Sequence, residues 1–101
     1  MGIPPLVDAA YNGDVAKVQE LLNAGTNVDD RASDGQTPLM VAAMKGYDES
    51  CVEVVKLLLK NGANVNATDI LGSSAVRLAQ RKGLANMVNL LTSHGGKYLG
   101  A

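Results

Sequence analysis

A segment of about 33 residues occurs three times in this chain and limits the folds open to it. The tripeptide Thr-Pro-Leu at residues 37–39 aligns with Pro-Pro-Leu at 4–6, and with Ser-Ala-Val at 74–76. Each copy continues with a short apolar run, a glycine, a second apolar run and another glycine. One short helix pair cannot bury both of its faces, so we expect the three copies to stack around a continuous core.

Local signals in the middle copy mark two helices. Thr37 suits a helix N-cap because its side chain can accept a free backbone N–H, and Pro38 suits the first helical position. We expect Gly46 to close the first helix in the left-handed conformation. The second apolar run, residues 52–59, ends at the Asn-Gly pair 61–62. The copy is therefore predicted to be a helix–turn–helix unit preceded by a turn.

The middle copy also carries an insertion. The two helix-ending glycines are 12 positions apart in the outer copies, whereas Gly46 and Gly62 are 16 positions apart. Four added residues rotate a helix by about 400°, so they keep its apolar face within roughly 40° of register. We expect the second helix to begin near Glu49, after an N-cap at Asp48, and to protrude by one turn that exposes residues 47–49. An inert length variant and a secondary contact site are both open.

The middle copy resembles an ankyrin repeat. The resemblance rests on Gly-Gln-Thr-Pro-Leu-Met-Val-Ala-Ala at 35–43 and on Asn-Gly-Ala-Asn-Val-Asn-Ala at 61–67, and the outer copies share it in part. It implies an all-α ankyrin-repeat solenoid of stacked helix-turn-helix pairs with projecting β-turn loops. The family usually has a histidine after Thr-Pro-Leu, where its ring ties neighbouring loops together. Val7, Met40 and Arg77 take that position, so we expect a weaker loop network.

We predict a single domain whose ends are capped. The repeats are expected at about 4–31, 32–68 and 69–95, with a tail at 96–101. The second-helix face that is apolar in the later copies carries Lys17 and Glu20 in the first copy. Thr92 and its polar neighbours face outward at the other end. Polar outer faces are typical of terminal repeats, so we expect a complete monomeric stack.

Composition gives little support to catalysis. His94 and Cys51 are the single histidine and cysteine, and neither belongs to a metal-spaced cluster or a nucleophile motif. We expect no enzymatic activity, no cofactor and no metal. Cys51 is predicted to be a buried thiol, although a position in the first turn of a helix can lower a thiol pKa.

The charges are distributed unevenly along the chain. The net charge is −1, yet residues 1–55 hold nine acids and three bases, and residues 56–101 hold one acid and six bases. Because the net charge is only −1, we expect neither nucleic acid nor a membrane as a partner. Basic partner segments should face the first turn and the insertion, and an acidic segment should face the third repeat. The single cysteine and the absence of a signal-peptide pattern favour an intracellular location.

The resemblance implies that a partner protein contacts the turn tips and the exposed side of the first helices. Carried over by alignment, these positions are Tyr11, Asn12, Ser33, Asp34, Gln36, Met40, Met44, Lys45, Ile70, Leu71, Ser73, Arg77, Arg81 and Lys82.

Several of these positions have a second interpretation. The apolar pair at 70–71 either stands on a turn tip or folds back onto the third repeat. Met40 and Met44 share a helix face, which suits an adaptable binding surface or the core. Arg77 and Arg81 share a face of the first helix of the third copy. They are either solvated or form a binding site for a carboxylate or phosphate of a partner. The aspartates of the first turn are turn formers or contacts.

The leading functional prediction is a non-enzymatic protein–protein interaction module. The alternative is a regulatory inhibitor or assembly subunit that blocks an enzyme or transcription factor through the same face. The resemblance also makes Asn66 a candidate for asparagine hydroxylation, although Asn64 stands where the pattern favours an acid.

Overall fold

The computed structural model describes residues 2–101, and this part of the chain forms six α-helices. They are α1 Pro5–Tyr11, α2 Val15–Asn23, α3 Pro38–Ala43, α4 Glu49–Lys60, α5 Ala75–Arg81 and α6 Ala85–Ser93. Consecutive helices pack as the pairs α1–α2, α3–α4 and α5–α6, which we call repeats one, two and three. Residues 2–101 contain no β-strand, only an isolated bridge between Thr68 and Ser74. The predicted all-α solenoid is confirmed. The predicted boundaries of the three repeats and the tail stay a prediction.

Polar side chains define where most helices begin. Four helices have an N-cap side chain that accepts a backbone N–H of the first turn, from Asp14, Thr37, Asp48 and Ser74. A helix N-terminus leaves its first backbone donors without partners, so each such cap fixes a start point. The predicted caps Thr37 and Asp48 are confirmed.

The first helices form one layer of the stack. Helix α3 packs against α1 on one side and α5 on the other, while α4 packs against α2. Ala42 and Ala43 are fully buried between their neighbours, and Leu39 is buried beside them. Small side chains let the short helices approach closely, and the larger Val54, Val55 and Leu58 of α4 fill the core behind.

Gly46 has a different role from the one expected. Glycines at the same place in the other repeats have φ values of 66° at Gly13 and 71° at Gly83, whereas Gly46 is not in the left-handed region. A Cβ at Gly46 would lie 3.0 Å from both Cβ and Cε of Met87. The expectation of a left-handed helix stop is therefore wrong, because the inserted residues lengthen the connection. A residue without a side chain is needed at position 46 because Met87 of repeat three packs against it.

The insertion extends α4 as predicted. Helix α4 begins at Glu49 and has 12 residues, against 9 in α2 and 9 in α6. Tyr47 and Glu49 are exposed and Asp48 is half-buried. The added turn also packs against repeat one, since a Cβ at Gly13 would lie 3.0 Å from Cβ of Ser50 and 3.3 Å from Sγ of Cys51. The insertion thus joins two repeats as well as showing an outer edge.

The projecting turns contact each other directly. The Ile70 N–H donates to the Asp34 carbonyl at 3.1 Å. Arg31 Nη1 donates to the carbonyl of Gly35 at 2.8 Å and to that of Thr68 at 2.6 Å. The Asp29 carboxylate accepts the Asn64 N–H at 3.1 and 3.2 Å. Arg31 and Asp29 therefore link loops in a chain that lacks the family's usual histidine.

Candidate protein-binding surface

A cavity of about 260 Å³ opens between α1, α3 and the turn that precedes α3. Most of its wall is apolar, and Asp8 and Asp34 are among the lining residues. We call it the concave cavity. Its lining comprises Ile3, Val7, Asp8, Tyr11, Ala32, Ser33, Asp34, Gln36 and Val41. The structure thus brings together four residues that the sequence predicted for partner contact: Tyr11, Ser33, Asp34 and Gln36.

Tyr11 and Lys45 form a pair at the rim of this cavity. Lys45 Nζ donates to the Tyr11 carbonyl at 2.8 Å and lies 4.3 Å from the centroid of the Tyr11 ring. A lysine held over an aromatic face is attracted by the ring quadrupole. Both predicted residues are thereby fixed in position across the boundary between repeats one and two, and Tyr11 stays 54% exposed.

The predicted exposure of Met40 is wrong. Only 1% of Met40 is exposed, and it belongs to the core cluster, whereas Met44 is half-buried at the edge of that cluster. The helix face that looks into the concave cavity carries Asp8 and Tyr11 in α1 and Val41 in α3. The lining also includes Val7, and Val7 and Tyr11 align with Met40 and Met44, whereas Asp8 and Val41 lie one residue after Val7 and Met40. The spacing of three between Asp8 and Tyr11 places them on one helix face and could have revealed this addition.

Two large apolar side chains stand on the second turn tip. Ile70 is 75% exposed and Leu71 is 82% exposed, so the alternative that they fold back onto repeat three is wrong. The turn itself is well formed, because the Asp69 carboxylate accepts the N–H groups of Leu71 and Ser73 at 3.0 and 2.9 Å. The tip thus presents apolar surface on a rigid loop.

The predicted basic surface of repeat three is partly covered by the chain itself. Residues 96–101, which we call the tail, lie over the beginning of α5. Arg77 Nη2 donates to the Tyr98 carbonyl at 3.3 Å, and Arg81 donates to the oxygen of Ala101. Ser73 is 1% exposed, so its predicted place on the exposed face is wrong. Among the described cations of α5 and its C-cap, Arg81 and Lys82 remain exposed.

Comparison with known sequences decides the family. A family described as ankyrin repeats in three copies matches residues 6–99. This chain belongs to the ankyrin-repeat family. Ankyrin repeats are generally protein–protein interaction modules and are generally non-catalytic.

Relatives of this ankyrin-repeat chain are much longer proteins. It is 40% identical over 88 residues to serine/threonine-protein kinase VIK of Arabidopsis thaliana, covering 86% of this chain and 19% of the kinase. It is 42% identical over 79 residues to potassium channel AKT2/3 of the same plant, covering 73% and 9%. It is 40% identical over 89 residues to human ankyrin repeat and KH domain-containing protein 1, covering 86% and 3%. The chain therefore spans less than a fifth of each of these proteins.

Cys51 in this ankyrin-repeat chain is buried against repeat one. Its Sγ lies 3.9 Å from the carbonyl oxygen of Ala10 and 4.0 Å from that of Tyr11. Burial raises the pKa of the Cys51 thiol, the charge of Asp48 raises it further, and Lys45 opposes both. The first-turn position therefore does not lower the thiol pKa, because desolvation of the thiolate dominates.

Asn66 joins the ankyrin stack to the tail. Its side chain accepts the Lys97 N–H at 2.8 Å and donates to the Gly95 carbonyl at 3.0 Å. Both ends of the amide are therefore engaged. No helix within residues 2–101 combines the length and apolar character needed to cross a membrane.

Proposed function

We propose that this chain is a non-enzymatic interaction module that binds a partner protein through its concave face. The observation that carries the proposal is the concave cavity, a preformed, mainly apolar depression with Tyr11 and Lys45 clamped at its rim. Ordering of side chains on binding opposes association, so a surface that is already ordered favours it. Large aromatic residues at the edge of an apolar pocket are common anchors in protein interfaces.

The lining of the cavity indicates what it would accept. An aliphatic or aromatic side chain of the partner would enter the apolar part, and a neighbouring Lys or Arg would meet Asp8 and Asp34. Ile70 and Leu71, which are 75% and 82% exposed, would extend the apolar contact along the turn tips. An acidic segment of the partner would face Arg81 and Lys82 of repeat three. Charge complementarity of this kind orients a partner and suppresses wrong ones.

An alternative function fits the same surface. A regulatory inhibitor or assembly subunit would use this face as well, so only the identity of the partner separates the two functions. The monomeric state, the intracellular location and the absence of nucleic-acid and membrane partners stay predictions.

The proposal can be tested with peptides selected from a random display library against the whole chain. Their affinities would be measured by calorimetry for wild type, Tyr11→Ala and Tyr47→Ala. Tyr47 is a matched control, because it is an exposed tyrosine outside the concave cavity. Tyr11→Ala should weaken binding about tenfold or more, as loss of an aromatic anchor does.

Tyr47→Ala should leave these affinities within about twofold of wild type, because substitutions outside a binding interface have little effect on affinity. Equal losses in both variants, or a loss with Tyr47→Ala alone, would place the binding surface elsewhere and reject the proposal.

A further inference from the structure

The tail is bound to repeat three mainly through its main chain. The Ser74 N–H donates to the Leu99 carbonyl at 3.0 Å, and the Leu99 N–H donates to Ser74 Oγ at 3.1 Å. The Ser74 hydroxyl donates to the Lys97 carbonyl at 2.6 Å. These contacts use main-chain atoms of the tail, so they would accept other side chains. The surface beneath the tail, formed by Asn66, Ser73, Ser74, Arg77 and Arg81, is called the tail groove below.

The first part of the tail follows the spacing of a repeat. Asn66 accepts the Lys97 N–H as Asp29, at the equivalent place one repeat earlier, accepts the Asn64 N–H. Tyr98 adds a cation–π contact, since the Arg77 guanidinium lies 5.3 Å from the centroid of the Tyr98 ring. The tail groove therefore contacts the main chain of the tail and one aromatic side chain.

The tail leaves two polar atoms of the groove without partners. Within residues 2–101, Ser73 Oγ and Arg77 Nε are buried and have no hydrogen-bond partner. Ser73 lies under Gly100, which has a φ of 102° and where a Cβ would be 2.8 Å from both Cα and Oγ of Ser73, so glycine fits this position and a side chain does not. No Asp or Glu side chain of the described residues forms an ion pair with Arg77 or Arg81. Buried donors of this kind are normally paired, and a carboxylate is the strongest acceptor for them.

We propose that the tail groove binds an acidic segment of the partner, and that the tail fills this site until the partner displaces it. This inference rests on the proposed function and assigns the acidic segment its binding site. The segment would form the main-chain bonds at Ser74 and would keep a glycine over Ser73. Its next residue would bring a carboxylate to Arg81 in place of the oxygen of Ala101.

The tail competes for the groove from within the same molecule. A short tether gives the tail a high effective concentration at the groove. The affinity measured for an added peptide is therefore its intrinsic affinity multiplied by the fraction of molecules whose groove is empty. Weakening the tail should therefore tighten binding of a peptide added in solution. Leu99→Pro removes the N–H that donates to Ser74 and is the variant of choice. Lys97→Ala is its control, because Lys97 contributes main-chain atoms to the recorded contacts.

The test uses a blocked, labelled peptide, Lys-Tyr-Leu-Gly-Glu, which keeps the glycine over Ser73, and its Gln counterpart, titrated with the full chain by fluorescence anisotropy. Leu99→Pro should bind the glutamate peptide about tenfold tighter than wild type does, and about tenfold tighter than it binds the glutamine peptide. Lys97→Ala should match wild type. Adding Arg81→Gln to Leu99→Pro should abolish the preference for glutamate.

Equal affinities of wild type and Leu99→Pro, or no preference for glutamate, would overturn the inference. Circular dichroism would check that Leu99→Pro is folded, and Tyr98→Ala, which keeps the main-chain bonds, offers a second variant with the same expected direction. A wild-type dimer in sedimentation that Leu99→Pro abolishes would show tails exchanged between copies and would also overturn it. Because Tyr11 lies outside the tail groove, a loss of peptide-library binding in Tyr11→Ala tests the proposed function separately.

Discussion

Cys51 shows how the stack changes the chemistry of a single residue. Its thiol is fully buried between α4 and the end of α1, and burial together with the charge of Asp48 raises its pKa. A thiol in this state is a weak nucleophile, because the thiolate is the reactive form. The residue therefore acts as a small apolar side chain in the contact between repeats one and two.

The raised pKa of Cys51 makes part of the stability depend on pH. The unfolded thiol loses its proton near the ordinary value of 9.0, while the folded thiol keeps it to higher pH. The contribution is therefore complete below pH 9 and is lost as pH rises through the folded pKa. We expect the difference in unfolding free energy between wild type and Cys51→Ala to shrink above that pH. Urea denaturation of both proteins at several pH values measures it.

A difference that stays constant, or grows, from neutral pH to about pH 10.5 would contradict this linkage. The comparison with Cys51→Ala separates the contribution of this thiol from every other effect of alkaline pH on stability.

Gly35 and Gly72 offer a test of the contact between turn tips. Both have a φ of 82°, so alanine strains the backbone equally at the two sites. A Cβ at Gly35 would lie 2.8 Å from the Ile70 nitrogen, whereas one at Gly72 would meet nothing within 4 Å. We expect Gly72→Ala to lower the unfolding free energy by about 1 kcal/mol and Gly35→Ala by about 2 kcal/mol or more. Chemical denaturation would measure both, and equal losses would mean that the turn contact is unimportant.

Helix α4 is the element that departs most from a regular repeat. Its added turn begins at Glu49, and Ser50 and Cys51 from that turn pack on Gly13 of repeat one. The insertion therefore strengthens the boundary between repeats at the edge away from the turn tips. Tyr47, which is 73% exposed, stands at the outside of this edge.

The N-cap of α4 should control this contact. Asp48 accepts the Ser50 N–H at 2.9 Å, so Asp48→Ala should lower the unfolding free energy by about 1 kcal/mol. Asp48→Asn keeps a capping oxygen and should stay within a few tenths of a kcal/mol of wild type. Thermal or urea unfolding of the two variants compares them. Equal destabilisation would show that the charge, and not the cap, stabilises the helix.

The sequence was sufficient for elements whose causes are local. The caps Thr37 and Asp48 and the start of α4 at Glu49 depend on neighbouring residues, and each was predicted. Met40 and Gly46 were misassigned because their environments come from other repeats. Met40 is buried in the core of the stack, and Gly46 is packed by Met87. The tail contacts depend on residues about 20 to 30 positions apart, for which no pattern in the sequence gave a signal.

The whole molecule presents two different surfaces along its concave side. Repeats one and two form an apolar cavity near acidic side chains, and repeat three offers a groove with arginines that the tail occupies. This arrangement agrees with the uneven charge of the chain, in which acids concentrate before residue 56 and bases after it. A partner that spans both surfaces would be held in one direction.

The location of the binding surface can be measured directly by NMR. A ¹⁵N-labelled chain would be titrated with a peptide selected from the display library, and shifts of the amide signals would be mapped onto the structure. We expect the largest shifts at the concave cavity and the turn tips, on Val7, Asp8, Tyr11, Asp34, Gln36, Val41, Ile70 and Leu71. Largest shifts on the outer surfaces of α2, α4 and α6, with the cavity unaffected, would contradict it.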